Sequence, residues 1–572
     1  MIHTFLTAFL TFLASIIATI IWSVVSPARR KPIRLPRWNT TTLVVTSVLM
    51  STCLAIAAGL NREILPRVHD EFSYLLAAET YASGRWTNPP HKHWEHFESY
   101  HILQQPTYAS KYFPGQGLML AAGILLANAP IVGSWLGVGF LSGSVTWMLM
   151  RWTSPRWAFF GSVLAIANSG IQIWWGQTYW GGTLTMAGSA LVVGALPGVL
   201  RSCSKRDAIV MGAGAAVLLL TRPFEGFILC SSVGAYIVCR LANRKTAFVW
   251  NLVQIAASNA VCLVPTALFL LSINAAVTGK VEVTPYSLHH QQYDVVPFWI
   301  GAELREEPDY RHPTMRRLYA GVLVSEFLEQ RVIPTYLKHR VGALTWMAQR
   351  FSLLLLSPLL LAGTVFAFRK KGPTRFLATW SLAAFAIEMC VPWVHPHYFA
   401  HIAPGIVLAV VAGTRHVSLR WPCLRRLPEA VLAVYLGVNG FTIWLQSQAV
   451  DATWAHDRDR VVRTLLESDK QDLIIVRYAR NHNPHEEWVY NSALIDDSPI
   501  VWAREMDSAA NSSLLTYFQD RRVWLLLPDQ KPLKLIEVDP RTGKPLATVS
   551  VSAKTARSAG ETILKGWTLR GT

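Results

Sequence analysis

The sequence predicts a polytopic α-helical membrane protein of about twelve spans, followed by a small C-terminal α/β domain. Of 572 residues, 52% are hydrophobic and 15% charged, and the mean hydropathy is +0.28, outside the range of ordinary soluble chains. Long runs almost free of charge recur as far as Leu445. Beyond about Asp451 the texture changes to short apolar runs separated by polar turns.

In chain order the apolar runs are Phe5–Val25, Thr41–Leu60, Ile131–Met150, Ala158–Ile173, Leu184–Leu200, Ile209–Leu220, Phe227–Cys239, Phe248–Ile273, Ser352–Phe368, Phe376–Val391, Ile402–Gly413 and Ala430–Leu445. Several fall short of the roughly 20 residues that cross a bilayer, so their ends extend into the flanks. Gly115–Asn128 reads as a short re-entrant or interfacial helix leading into the span that ends at Met150. The first run has no Lys or Arg before it and the cluster Arg29-Arg30-Lys31 after it, which favours a retained helix over a cleaved signal.

Charge sets the orientation. The alternate loops 26–40, 151–156, 201–207, 240–246, 369–375 and 414–428 hold 21 of the 53 Lys and Arg and one of the 35 acids, Asp207. The remainder carries 32 bases and 34 acids, so the formal +18 resides on one side, expected to be the cytoplasm. That topology accounts for the basic balance and removes the argument for nucleic-acid binding. The opposite face holds residues 61–114, the large loop 274–351, the turns near 174–182, 221–226 and 392–401, and the tail after 446. None of the seven cysteines (Cys53, Cys203, Cys230, Cys239, Cys262, Cys390 and Cys423) falls there, so no disulfide framework is expected on that face.

In the tail the pattern reads helix Arg458–Ser468, strand Asp472–Tyr478, strand Ile500–Ala503, helix Ser512–Gln519 and strand Arg522–Leu527. The chain therefore divides into a membrane domain, 1–447, and a small α/β domain, 451–572, placed outside the cytoplasm by loop alternation. No glycine-rich phosphate loop is present, and no fixed-period repeat is visible.

The most informative feature is Asp70-Glu71, two carboxylates about ten residues beyond a membrane-spanning run. Such groups are costly to desolvate, and one held at a bilayer surface suits general-base chemistry on a lipid-anchored substrate. The pair opens Asp70-Glu71-x-x-Tyr74, continues through Ser83-Gly84-Arg85-Trp86 and Pro89, and leads to Lys111-Tyr112-Phe113-Pro114 before the next apolar run. In this order and placement the sequence resembles the GT-C membrane glycosyltransferases of the protein mannosyltransferase and lipid A aminoarabinose transferase clan. The resemblance is clearest over 69–118 and extends loosely to about 447. It departs at Tyr112-Phe113, where the family's K-P-P has its first proline.

The resemblance implies a GT-C-like architecture and an inverting transfer of a sugar from a polyprenyl-phosphate donor to an acceptor outside the cytoplasm. The partners implied are that donor, the bilayer and an acceptor that is a protein, lipid or glycan. Asp70 would be the base and Glu71 would orient it or bind the acceptor. Tyr74 is expected near the substrate. Lys111 matches the family's lysine on the donor phosphate. Arg222, in Thr221-Arg222-Pro223-Phe224-Glu225-Gly226, offers a planar fork for phosphate oxygens that Glu225 could pin, or serves as a snorkelling interfacial residue. His397, Tyr398 and His401, in the turn Trp393–His401, can donate to phosphate or sugar. In the loop 274–351, Tyr286, His289 and Tyr293, with an amphipathic helix around Met315–Gln330, are candidates for substrate contact by position.

No cofactor is required in this reading. His-x-His at 395–397, His289-His290 and His312 provide no carboxylate at ligand spacing, so a divalent metal is possible but unsupported. The aromatic stretch Trp174–Gly182 reads as an interfacial belt. The expected location is a bacterial cytoplasmic (inner) membrane, with the active site and C-terminal domain outside. The competing readings are a multi-span transporter and a membrane-anchored binding or sensor protein without catalysis. A transporter would place ionisable groups at the midplane, where only Glu388 is a candidate.

Overall fold

The computed structural model describes residues 39–243, 247–449, 453–540 and 544–550. The run Phe5–Val25 and the cluster Arg29-Arg30-Lys31 lie outside the described residues. Helix α1 (Thr40–Gly59) starts where the Asn39 side chain accepts the Thr42 N–H at 2.7 Å. A short helix α2 (His69–Ala82) follows, then a two-stranded ribbon, β1 (Ile102–Leu103) with β2 (Ala109–Ser110). The bundle continues with α3 (Pro114–Ala127), α4 (Pro130–Trp152), α5 (Pro155–Ile166), α6 (Thr183–Ser202), α7 (Lys205–Thr221), α8 (Pro223–Ala242) and α9 (Phe248–Thr278). Proline at the first position begins α3, α4, α5 and α8, where its missing N–H costs no hydrogen bond.

Among the described residues six helices are long and apolar enough to cross a membrane, or seven if one bent pair counts as a span, and on these the chain is an integral membrane protein. The expected twelve are therefore only partly matched among the described residues. Runs such as Ala158–Ile173 and Ile402–Gly413 do carry helices, but these are short or too polar at their ends. Gly115–Asn128 is the 14-residue helix α3.

In the large loop lie α10 (Pro285–Tyr293), a turn of helix at Pro313–Arg316, a π-helical turn at Arg317–Val322 and α11 (Leu323–Glu329). The single amphipathic helix expected around Met315–Gln330 is thus interrupted. Helices α12 (Ile333–Arg350) and α13 (Leu353–Arg369) meet at 99°. At that break Ser352 adopts φ 54, and its hydroxyl donates to Asn439 Oδ1 at 2.8 Å. Asn168 donates to the Phe351 carbonyl, also at 2.8 Å, so backbone freed by the bend stays paired inside the bundle. Helices α14 (Pro373–Glu388), α15 (Ala403–Arg420) and α16 (Leu427–Ser447) complete it. Gly363 on α13 faces the Ala409 carbonyl of α15, where a Cβ would lie 1.8 Å away.

The C-terminal unit comprises α17 (Trp454–Leu466), β3 (Asp472–Val476), β4 (Ile500–Arg504), α18 (Ser508–Tyr517), β5 (Arg522–Leu527), β6 (Lys534–Val538) and β7 (Pro545–Ser550). The strand order is β4-β3-β5-β6-β7, with β3 parallel to both neighbours and β6 and β7 antiparallel. Both helices begin four residues earlier than their apolar spacing predicted, and the last two strands carry too little alternation to be read from sequence.

One face of this sheet packs on Val461 and Leu465 of α17. The other shares a core with Phe72 and Leu76 of α2 and with Phe97, Ile102 and Tyr108. Phe72 stacks on Tyr490 with centroids 4.0 Å apart and planes 3° from parallel. The helix carrying Asp70 is thereby built into the C-terminal fold.

Candidate active site

Asp70 lies in the first turn of α2, where helix N-termini favour negative charge. Glu71 fastens that turn. Its Oε2 accepts the Arg67 and Val68 N–H groups at 2.7 and 3.3 Å, and its Oε1 accepts the Tyr179 N–H at 3.0 Å. All three of these donors are backbone N–H groups, so Glu71 ties the start of α2 to the turn at Tyr179.

The Tyr112 hydroxyl donates to Asp70 Oδ1, and among the described residues no other hydrogen bond reaches this carboxylate. Burial opposes its charge, but His101, His69, Tyr112 and Lys111 together outweigh burial and hold the carboxyl well below the usual range. Tyr112 in turn stacks on Tyr74 at 4.4 Å. Tyr112, at the position where the sequence departs from K-P-P, is thus the residue that fixes Asp70.

Lys111 is buried, which pulls its ammonium down, while Asp294 and Asp70 favour its charge. Its Nζ stands 5.3 Å from the Tyr286 ring centre and 5.4 Å from that of Tyr112. Arg222 caps the end of α7, lies 4.6 Å over the Tyr398 ring and pairs with Glu225 at 3.3 Å. His397 is buried 4.7 Å from Tyr398; burial, then Arg222 and His395, keep its imidazole neutral. Asp70 acts electrostatically on His397 and Tyr398, as does Arg222. Asp70, Lys111, Arg222, His397, Tyr398, Tyr74, Glu225 and Tyr286 thus surround one region at the end of the bundle away from the basic loops.

Other candidates lie further off. The Tyr293 hydroxyl donates to Glu98 at 2.9 Å, within a buried group that includes His312, 3.4 Å from the same carboxylate. His401 faces Glu388 at 3.9 Å. His289 is fully buried, with its ring 5.8 Å from that of His101. Burial brings His289 down to about 4.

Sequence reasoning missed His69, His101, Tyr112, Asp294 and His485. Asp294 is held ionised against burial by Lys111, His289 and His290. His69 Nδ1 lies 3.1 Å from His101 Nε2, and His485 Nδ1 lies 3.4 Å from His69 Nε2. The adjacency of His69 to the acidic pair was the one signal available. Long-range contacts of |i−j| 32 and 416 bring in the other two histidines, and no local pattern encodes those.

His69, Asp70 and His101 present ligand atoms within 4.8 Å of one another, the group among the described residues able to hold a metal ion. The donor set fits a transition ion, since burial keeps both imidazoles neutral, that of His69 down to about 4. Such an ion would supply Lewis acidity next to Asp70. His395, His397, His289, His290 and His312, weighed as ligands from the sequence, are not members of that group.

No protein-family model matches the chain, and no curated protein does. Among solved structures the chain is similar to ArnT from Cupriavidus metallidurans bound to undecaprenyl phosphate: 13% identity, 86% of this chain and 93% of that chain, TM-score 0.49. It is also similar to the oligosaccharyltransferase AglB from Archaeoglobus fulgidus in complex with an inhibitory peptide and a dolichol-phosphate: 13% identity, 85% and 69% covered, TM-score 0.47. The arabinofuranosyltransferase AftD from Mycobacteria is similar at 13% identity, with 89% of this chain and 36% of that chain covered and a TM-score of 0.46.

Proposed function

We propose that this protein is an inverting membrane glycosyltransferase that moves a sugar from a polyprenyl-phosphate donor to an acceptor hydroxyl on the extracytoplasmic face. The observation that carries the reading is the Asp70 carboxylate, held by the Tyr112 hydroxyl and facing a region that also holds Lys111 and Arg222 from different elements. A bound phosphate needs that positive pair, and a hydroxyl nucleophile needs the carboxylate.

The acceptor hydroxyl gives its proton to Asp70 as its oxygen bonds to the anomeric carbon. The carbon–oxygen bond to phosphate breaks on the opposite face, and the electron pair leaves with the phosphate. Single displacement of this kind inverts the centre. Tyr112, bonded to Oδ1, fixes the plane of the carboxylate and leaves Oδ2 for the acceptor. Lys111 and Arg222 meet the charge that develops on the leaving phosphate. Asp70 works here as a free base, so this mechanism requires no metal.

The test is Asp70→Asn in proteoliposomes supplied with labelled polyprenyl-phosphate sugars. Sugar transfer falls by about 10²–10⁴-fold at normal expression and stability. Unchanged transfer removes Asp70 as the base.

A further inference from the structure

The sheet of the C-terminal unit has an edge at which nothing above assigns a ligand. From β3 the chain passes to β4 on one side and then, through α18, to β5 on the other. In open α/β sheets the crevice at the carboxyl ends of strands, where the order reverses in this way, is where ligands bind. The connection leaving β3, residues 477–499, runs to β4 without any helix or strand. Connections of that length are uncommon in compact domains and usually functional.

This segment is pinned. His482 is buried, with Nδ1 2.7 Å from Asp529 Oδ1 and Nε2 3.1 Å from the Glu486 carbonyl. Arg317, in the π-helical turn of the large loop, donates to the His482 carbonyl at 2.8 Å. Asn483 Oδ1 accepts the His485 N–H at 3.2 Å. The result is an exposed His485 whose ring stacks on His69, with centroids 5.6 Å apart and planes 18° from parallel. His69, Asp70 and His101 hold polar atoms within 4.8 Å of one another, so the loop at this end of the sheet abuts the proposed base.

We propose that the acceptor of the glycosyl transfer is a carbohydrate bound across this junction, and that His485, with the exposed Asn481, contacts its hydroxyls. The exposed side chains of the segment 481–485, Asn481, Asn483 and His485, favour this class: amide and imidazole groups both donate and accept hydrogen bonds, as a polyhydroxylated ligand requires. Within that segment no exposed side chain is apolar. His485 is a specificity-determining residue in this arrangement, and the C-terminal unit is one wall of the acceptor site. The inference rests on the glycosyltransferase reading above.

The experiment uses the full chain in proteoliposomes with polyprenyl-phosphate mannose or glucose as donor and methyl glycosides as minimal acceptors. Release of polyprenyl phosphate with and without acceptor separates transfer from hydrolysis. For His485→Ala, KM for the methyl glycoside rises about tenfold and the ratio of transfer to hydrolysis falls by the same factor, with His485→Gln recovering most of it. A fall in kcat at constant KM, or an unchanged ratio, overturns the assignment of His485. Donor hydrolysis without transfer to any glycoside overturns the carbohydrate acceptor. Neither hydrolysis nor transfer in the unsubstituted protein overturns the glycosyltransferase reading itself, and this inference with it.

Discussion

Arg222 gives the sharpest quantitative test of the donor site. Placed about 4 Å from a phosphate oxygen, a guanidinium is worth about 4 kcal/mol at the effective dielectric of protein sites near a surface. Arg222→Gln would therefore cost roughly 10²–10³-fold in transfer. That substitution alone is confounded. The side chain of Glu225 is 8% exposed and would lose its partner, and breaking a buried pair costs about 3–5 kcal/mol of stability. Arg222→Gln combined with Glu225→Gln removes the stranded charge and isolates the donor effect. Arg222→Lys keeps the charge but gives up the planar fork and the stacking on Tyr398, a loss of about 1–2 kcal/mol, or roughly tenfold. Initial rates of polyprenyl-phosphate release in proteoliposomes measure all three, with thermal unfolding recorded alongside. The expected order is wild type, Lys, then the double Gln variant. If the double variant keeps more than a third of wild-type rate at wild-type stability, Arg222 does not hold the phosphate.

Four further outcomes follow from the same geometry. The Asp70 carboxyl is held below its ordinary range, so its charge is complete above that range and is lost only as pH falls through the lowered value; rates should show no acid limb from Asp70 between pH 5 and 8, and Tyr112→Phe should shift any acid limb upward. Glu79, half-buried with one hydrogen bond from the Ala493 N–H, is raised to about 7, so stability present below the ordinary carboxyl value is lost as pH rises toward 7. Glu79→Gln should remove that slope in thermal unfolding and gain up to about 3 kcal/mol at pH 8. Arg504, 2% exposed and bonded to Glu487, Thr314 and the Glu98 carbonyl, should cost about 3–5 kcal/mol when replaced by Met, read as earlier proteolysis of the C-terminal unit. Exhaustive chelation should leave transfer intact; loss with recovery on adding zinc or manganese would make Asp70 a ligand of the His69–His101 group rather than a free base.

Asp70 and Arg222 could be singled out as candidates because ionisable groups at the ends of apolar runs are costly to place, and Lys111 through its match to the family's lysine. Span number was harder to read, because helices such as α5 and α7 are short or interrupted, and buried polar contacts such as Asn168 to Phe351 satisfy their broken ends where hydropathy sees only a weak run. The C-terminal strands β3, β4 and β5 were visible as apolar runs; β6, with the pattern Lys-Leu-Ile-Glu-Val, was not. Tyr112 looked like a departure from a motif, and only the three-dimensional contact shows what it does to Asp70.

The Phe72–Tyr490 stack and the His69–His485 contact also impose an order on biosynthesis. Helix α2 is made 416 residues before the partner that covers it, a wait of roughly 20–80 s at ordinary elongation rates. During that interval Phe72 and Leu76 lack the core they will share with the sheet. A ribosome that stops before Tyr490 releases a chain that still carries Asp70, Lys111 and Arg222 but lacks the aromatic surface that stacks on Asp70's helix. The packing of α2 is therefore completed only after the whole membrane bundle has been made.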